Sequence, residues 1–182
     1  MKFPNKKYEV LYADPPWQFT NKRTGGSLKS GSADQYQVLN ETEIGKLPVP
    51  DICADNCVLF MWWVAAKPEE ALAVIKAWGF TLKTMTGFNW VKRTQGGKLD
   101  FGMGFYTRQG SELCLIATKG KPKRVSASVR SVIISKKRQH SQKPHGVRER
   151  IEELYGDVPR IELFARDRTP GWDSWGLELE DD

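Results

Sequence analysis

The chain has 182 residues, 40% hydrophobic and 27% charged, the balance of a globular protein able to bury one core. No apolar run approaches membrane-spanning length, and the opening MKFPNKKYEV lacks a signal-type stretch, so a cytoplasmic protein with a single domain over residues 1–182 is expected. The formal charge of +6 is unevenly held: residues 119–150 carry 11 Lys and Arg against one acid, while the rest of the chain is net −4.

The first apolar run, residues 10–13, reads as a buried strand. It ends in Asp14-Pro15-Pro16-Trp17, a tetrapeptide that average residue usage yields at roughly one position in a million. In open α/β sheets ligands bind beyond the carboxyl ends of strands, where this turn falls. Proline geometry holds Asp14 and Pro15 extended. Neither proline has an N–H, so both carbonyls are expected to face a ligand without a competing donor. Asp14 adds a carboxylate and Trp17 a flat aromatic face. Acceptors beside a stacking surface suit an exocyclic amine on a heteroaromatic ring. The plainer reading is a rigid turn with a core tryptophan.

A polar loop follows over residues 18–37, long enough to be functional. Asn40 and Glu43 form a capping-box pattern that opens a short helix. Residues 57–64 (CVLFMWWV) read as a buried strand. An amphipathic helix over 68–78 turns Leu72, Ile75 and Trp78 inward and stops at Gly79. Residues 81–92 form a strand pair or one long strand, and 94–109 a glycine-rich loop. Further strands are expected at 113–118, 129–135 and 160–165, with a helix over 145–155 before Gly156 and a fraying acidic tail from Glu178. Alternating β and α units with near-continuous apolar strands predict an α/β fold, a mostly parallel sheet with helices on both faces.

Three cysteines make no disulfide framework. Cys53 and Cys57 lie too far in sequence from His140 and His145 for a compact zinc finger, so no metal is expected. The basic strip includes Lys121, Lys123, Arg124, Arg130, Lys136, Lys137 and Arg138. Its density on an otherwise acidic body predicts a nucleic-acid track, the alternative being a solvated surface.

Together these pieces resemble the MT-A70 family of adenine N6-methyltransferases. The resemblance rests on the order of DPPW (14–17), Tyr36, LFMWW (59–63), NWVK (89–92), GMGFYTRQGSELCLIATKG (102–120), SQKP (141–144), RIELFAR (160–166) and GWDSWG (171–176). It implies a Rossmann-like class I methyltransferase sheet with permuted motif order and S-adenosylmethionine as cofactor. It also accounts for a missing glycine-rich dinucleotide fingerprint, since GMG at 102–104 precedes no helix. By resemblance, Asp14, Lys143, Arg166, Arg168, Gly176 and Glu178 hold the cofactor, with Lys143 on its carboxylate and Glu178 on its ribose. Related sequences read WGNE where this one reads WGLE, so Leu177 cannot supply an amide's hydrogen bonds.

The implied chemistry is methyl transfer to N6 of adenine, with the Asp14 carboxylate and the Pro15 carbonyl accepting the two N6–H bonds. An adenine in a duplex must be flipped out to reach them. Trp17, Tyr36 and Trp90 are the expected base contacts, and Arg108 an expected phosphate contact. Residues 21–35 and 96–110 could close as lids, while Phe101 and Phe105 could serve a homodimer. DNA is the favoured polymer. RNA, or a non-catalytic nucleic-acid-binding partner of an active homologue, are the alternatives.

Overall fold

The computed structural model describes residues 2–18, 39–102, 104, 106–137, 142–176 and 179. Its strands are β1 (Tyr8–Ala13), β2 (Cys53–Trp63), β3 (Thr81–Arg93), β4 (Ser111–Lys119), β5 (Val132–Lys136), β6 (Arg160–Leu163) and β7 (Asp173–Trp175). They form a seven-stranded sheet in the order β5-β3-β4-β2-β1-β6-β7. Strand β4 runs antiparallel to β2 and β3, and the other pairings are parallel. The mostly parallel α/β sheet expected from the sequence is therefore present.

Strand periodicity divides the core between two faces. Leu11, Ala13, Leu59 and Met61 point to one face, where they pack with Ile44 of helix α1 (Glu41–Gly45) and Val74, Ile75 and Trp78 of and just beyond α2 (Pro68–Ala77). Val10, Tyr12, Val58, Phe60 and Trp62 point to the other, against Val147 and Ile151 of α3 (Gly146–Tyr155). Each large apolar side chain buried this way contributes about 1.5–3 kcal/mol. Both faces are thus covered, which is why β1 and β2 read as unbroken apolar runs.

Local chemistry agrees with the elements. Asn40 and Glu43 make the reciprocal capping box at α1. Helix α2 starts with Pro68 at its first position and carries Glu69 and Glu70 in its first turn and Lys76 in its last, matching the helix dipole. The Trp78 indole donates to the Ile44 carbonyl at 3.0 Å and ties α2 to α1.

One expectation changes, one alternative is decided and one strand is added. Leu72 is 40% exposed, because the buried row is Ala71, Val74, Ile75 and Trp78 and Leu72 lies a hundred degrees or so around the helix from Ala71. Residues 81–93 are one long strand whose register shifts between Leu82 and Phe88. Strand β7, three residues long, is too short to leave a periodic signal.

Candidate active site

Asp14 follows the last residue of β1, at the carboxyl end of the sheet. Trp17 fixes the turn from below: its indole N–H donates to the Trp62 carbonyl at 2.9 Å, and the residue is buried. The Pro15 carbonyl accepts the Trp17 N–H at 2.8 Å, and the Pro16 carbonyl accepts the Leu39 N–H at 2.9 Å. The turn is therefore a bonded unit, and its carbonyls are not free of competing donors as the sequence suggested. Each keeps a second lone pair.

Charges alternate outward from Asp14. The Lys143 ammonium lies 2.8 Å from Asp14 Oδ2 and 3.1 Å from Glu112 Oε2, and Glu112 also pairs with Lys92. Glu112 arrives through register, because it stands opposite Trp90 where β4 leaves the sheet's carboxyl end. Two aromatic rings back the cations: Lys143 sits 5.4 Å from the Trp62 ring and Lys92 5.1 Å from the Trp90 ring. Burial pushes the Asp14 carboxyl above its ordinary value, only partly opposed by Lys143 and Arg166. Burial acts on Glu112 too, but Lys143 and Lys92 together bring its carboxyl below the ordinary value. Burial pulls the Lys143 ammonium down, yet Asp14 and Glu112 outweigh it and hold it above the usual lysine value.

A cleft of about 80 Å³ opens beside Asp14, lined by Gln142, Lys143, His145, Arg148, Glu162, Phe164, Arg166 and Asp167. Its wall is set by a two-pronged ion pair, Arg148 Nε to Glu162 Oε2 at 2.7 Å and Nη2 to Oε1 at 2.6 Å. The guanidinium lies 5.5 Å from the Tyr12 ring, whose hydroxyl accepts the Trp62 indole N–H at 2.7 Å. Phe164 turns the chain out of β6 at φ 60, a conformation that costs a bulky residue about 1–3 kcal/mol. Packing against Trp175 at 5.5 Å holds it there. The turn directs Arg166 into the cleft and brings Ala165 against Gly176, where any Cβ would sit 2.1 Å from the Ala165 carbonyl oxygen.

The MT-A70 family model matches residues 8–178. The chain belongs to the MT-A70 family. It is 35% identical over 196 residues to the type II methyltransferase M.MunI of a Mycoplasma species, spanning 99% of this chain and 81% of that protein. It is 27% identical over 179 residues to the human N(6)-adenosine-methyltransferase catalytic subunit METTL3, covering 96% of this chain but 28% of METTL3. Against the human N(6)-adenine-specific methyltransferase METTL4 the identity is 28% over 190 residues, or 38% of that protein.

In this MT-A70 chain, Asp14, Lys143 and Arg166 line one cleft. Lys143 is engaged by two carboxylates, which makes it a partner of Asp14 first and leaves one of its three donors for a ligand. Trp17 and Trp90 are corrected. Trp17 is 8% exposed and pins the turn, while Trp90 is 3% exposed and donates its indole N–H to Ser135, so neither presents an open face to a base. Arg168 lines a separate depression with Lys6, Tyr8, Trp172 and Asp173, because the segment after β6 must return to the sheet's amino end to start the parallel strand β7.

The basic strip also divides. Lys136 and Lys137 lie at the end of β5 that pairs with Arg93, on the active-site side. Lys121, Lys123 and Arg124 follow β4 at the opposite end, about 23 Å from Glu112 at strand rise. Arg108 is exposed on the loop between β3 and β4. Cys53 and Cys57 are buried thiols at the start of β2, away from His145 in the cleft. Tyr36, Arg138, His140, Leu177, Glu178 and Phe105 lie outside the described residues.

Glu112, Arg148 and Glu162 were not anticipated. The signal available for the two acids was a charge set inside an apolar strand, in SELCLIATK and RIEL. Such a charge needs a partner, and here it has one.

Proposed function

We propose that the chain transfers a methyl group from S-adenosylmethionine to N6 of adenine in DNA. The observation that carries this reading is the Asp14–Lys143–Glu112 constellation beside a cleft of both charge signs. The amino-acid end of the cofactor bears a carboxylate and an ammonium, and Lys143, Arg166 and Asp167 answer those charges from the cleft wall. Lys143, Arg166 and the approach at Gly176 would hold it, with Asp14 at its margin; Glu178 belongs to the same expected set. When bound, the cofactor supplies an electrophilic methyl group on a sulfonium centre.

The chain's own residues prepare the amine. Lys143 holds Oδ2 of Asp14, which leaves Oδ1 to accept one N6–H. The second lone pair of the Pro15 carbonyl accepts the other. Two acceptors on one nitrogen oppose its delocalisation into the ring and turn its lone pair outward. The ionised carboxylate is the stronger acceptor; burial opposes that form, and the Lys143 and Arg166 cations favour it. The turn, locked through Trp17 and Pro16, contributes positioning; no proton need leave before transfer, and the methylated nitrogen then gives up one proton to solvent as the sulfonium becomes a thioether.

DNA is preferred because the type II methyltransferase relative is matched at higher identity and over most of its length. The second reading, RNA, rests on the N6-methyladenosine RNA methyltransferase MTA1 of Pyricularia oryzae, 27% identical over 184 residues. A non-catalytic role is disfavoured by the retained Asp14, Lys143 and Arg166. The protein is read as a single methyltransferase domain over residues 1–182, cytoplasmic, acting as a monomer or homodimer. Among the described residues no helix is long and apolar enough to cross a membrane. Incubation with labelled cofactor and matched single-stranded DNA, duplex DNA and RNA tests the reading. Label in DNA supports it, label in RNA alone moves the polymer, and label in none overturns it.

A further inference from the structure

The loop joining β3 to β4 carries the most exposed aromatic groups described: Phe101 is 75% exposed and Tyr106 110%. Leu99 beside them is 67% exposed. Apolar side chains displayed this openly cost solubility unless a partner covers them. The loop is nevertheless a built structure. Gly102 and Gln109 exchange hydrogen bonds at 3.1 and 3.2 Å, and a Cβ on Gly102 would meet the Gln109 carbonyl oxygen at 2.4 Å. Asp100 N–H donates to the Lys92 carbonyl, Lys92 N–H donates to the Gly110 carbonyl, and Asp100 is ion-paired to Lys137 at 2.7 Å. Tyr106 is held at φ 61, a conformation that side chains rarely adopt without surrounding constraint.

The loop is rooted in the active site. Lys92, which it bonds through both backbone groups, pairs with Glu112, and Glu112 shares Lys143 with Asp14. Its one acid, Asp100, is paired to Lys137, and its cations are Arg108, whose guanidinium lies 5.0 Å from the Phe101 ring, and Lys98, with Lys136 opposite Arg93 at its root. Rings interleaved with cations suit bases interleaved with phosphates. Trp17 and Trp90 are buried, so among these rings only those of the loop stand open to fill the gap that an extruded base leaves in a duplex.

We infer that this loop is a stacking wedge for duplex DNA, in which Phe101 and Tyr106 enter the stack that the extruded adenine leaves while Arg108 and Lys98 meet the flanking phosphates. The inference rests on the DNA reading above. Its occupant is nucleic acid rather than a second copy of the chain, because open rings beside Arg108 and Lys98 complement bases flanked by phosphates.

The test compares wild type with Phe101→Ala and Tyr106→Ala, using labelled cofactor on a random-sequence duplex pool and on the same pool as separated single strands. Each variant should lose about ten-fold or more in kcat/KM on duplex while staying within about two-fold on single strands. Phe101→Trp and Tyr106→Trp should keep duplex activity. Both positions are exposed, so thermal midpoints should not move. Unwinding of closed circular plasmid, read as a linking-number change after topoisomerase relaxation, needs no methyl transfer: wild type should unwind and the alanine variants should not. Equal loss on both pools, no loss on either, or a dimer that the substitutions turn to monomer in sedimentation would each overturn the wedge. A wild type that unwinds plasmid through these residues but methylates nothing would overturn the methyl-transfer reading and leave the wedge standing.

Discussion

Replacing Lys143 with methionine removes the ammonium between Asp14 and Glu112 while keeping most of the stem's volume. The Lys143 and Asp14 side chains are only 11% and 22% exposed, so solvent screens the loss weakly. At an effective dielectric of about 20, separations of 2.8 and 3.1 Å correspond to about 6 and about 5 kcal/mol of attraction. These are ceilings, because burying the ammonium itself costs free energy that the substitution returns. Glu112 keeps Lys92, so the unpaired charge falls on Asp14. Loss of about 3 kcal/mol is expected, the lower end for breaking a buried pair.

The pH dependence follows from the same geometry. The folded-state pKa of Asp14 already lies above its ordinary value through burial, and without Lys143 it rises further. A carboxyl raised on folding binds protons more tightly in the native state, so acid relieves its cost. The Lys143→Met deficit should therefore be largest at neutral pH and shrink as pH falls toward the raised Asp14 value. Adding Asp14→Asn should recover most of the loss. Urea unfolding at neutral and mildly acid pH, for the two single variants and the double variant, measures all of this. A Lys143→Met protein within about 0.5 kcal/mol of wild type, or with a deficit indifferent to both pH and Asp14→Asn, would refute the reasoning.

Gly176→Ala forces a Cβ to 2.1 Å from the Ala165 oxygen, so it should cost about 1–3 kcal/mol and weaken cofactor binding in calorimetry. Arg148→Met strands the buried Glu162 carboxylate, whose burial already raises its pKa, and should cost about 3–5 kcal/mol in urea unfolding. Reversing Lys136 to Glu should weaken DNA binding and flatten its salt dependence, measured by fluorescence anisotropy across a salt series. The same change at Lys121 or Lys123, at the far end of the sheet, should leave both nearly unaltered.

The sequence was most readable where information is local. The position of the DPPW turn at the end of β1, the Asn40–Glu43 box and the apolar runs of β1 and β2 each depend on a few adjacent residues, and each stands where it is expected, although the turn's carbonyls and Trp17 ring are bonded into the fold. What escaped depends on register and strand direction. Glu112 reaches Asp14 only because β4 runs antiparallel and starts at the carboxyl end of the sheet. The same reversal carries Lys121, Lys123 and Arg124 away from the cleft, splitting a strip that looks continuous along the chain. Trp90 was misjudged because NWVK belongs to an inner strand, where alternation sends its indole to Ser135 and not to a ligand. Trp17 stands beside the acceptors in sequence, but its ring is used to anchor them.

The most direct test of the central claim is nucleoside analysis of DNA after incubation with S-adenosylmethionine and either wild type or Asp14→Ala. The account predicts N6-methyladenine from wild type and none above background from Asp14→Ala, with cofactor binding by the variant still measurable in calorimetry. N6-methyladenine produced by Asp14→Ala at a substantial fraction of the wild-type rate would contradict it.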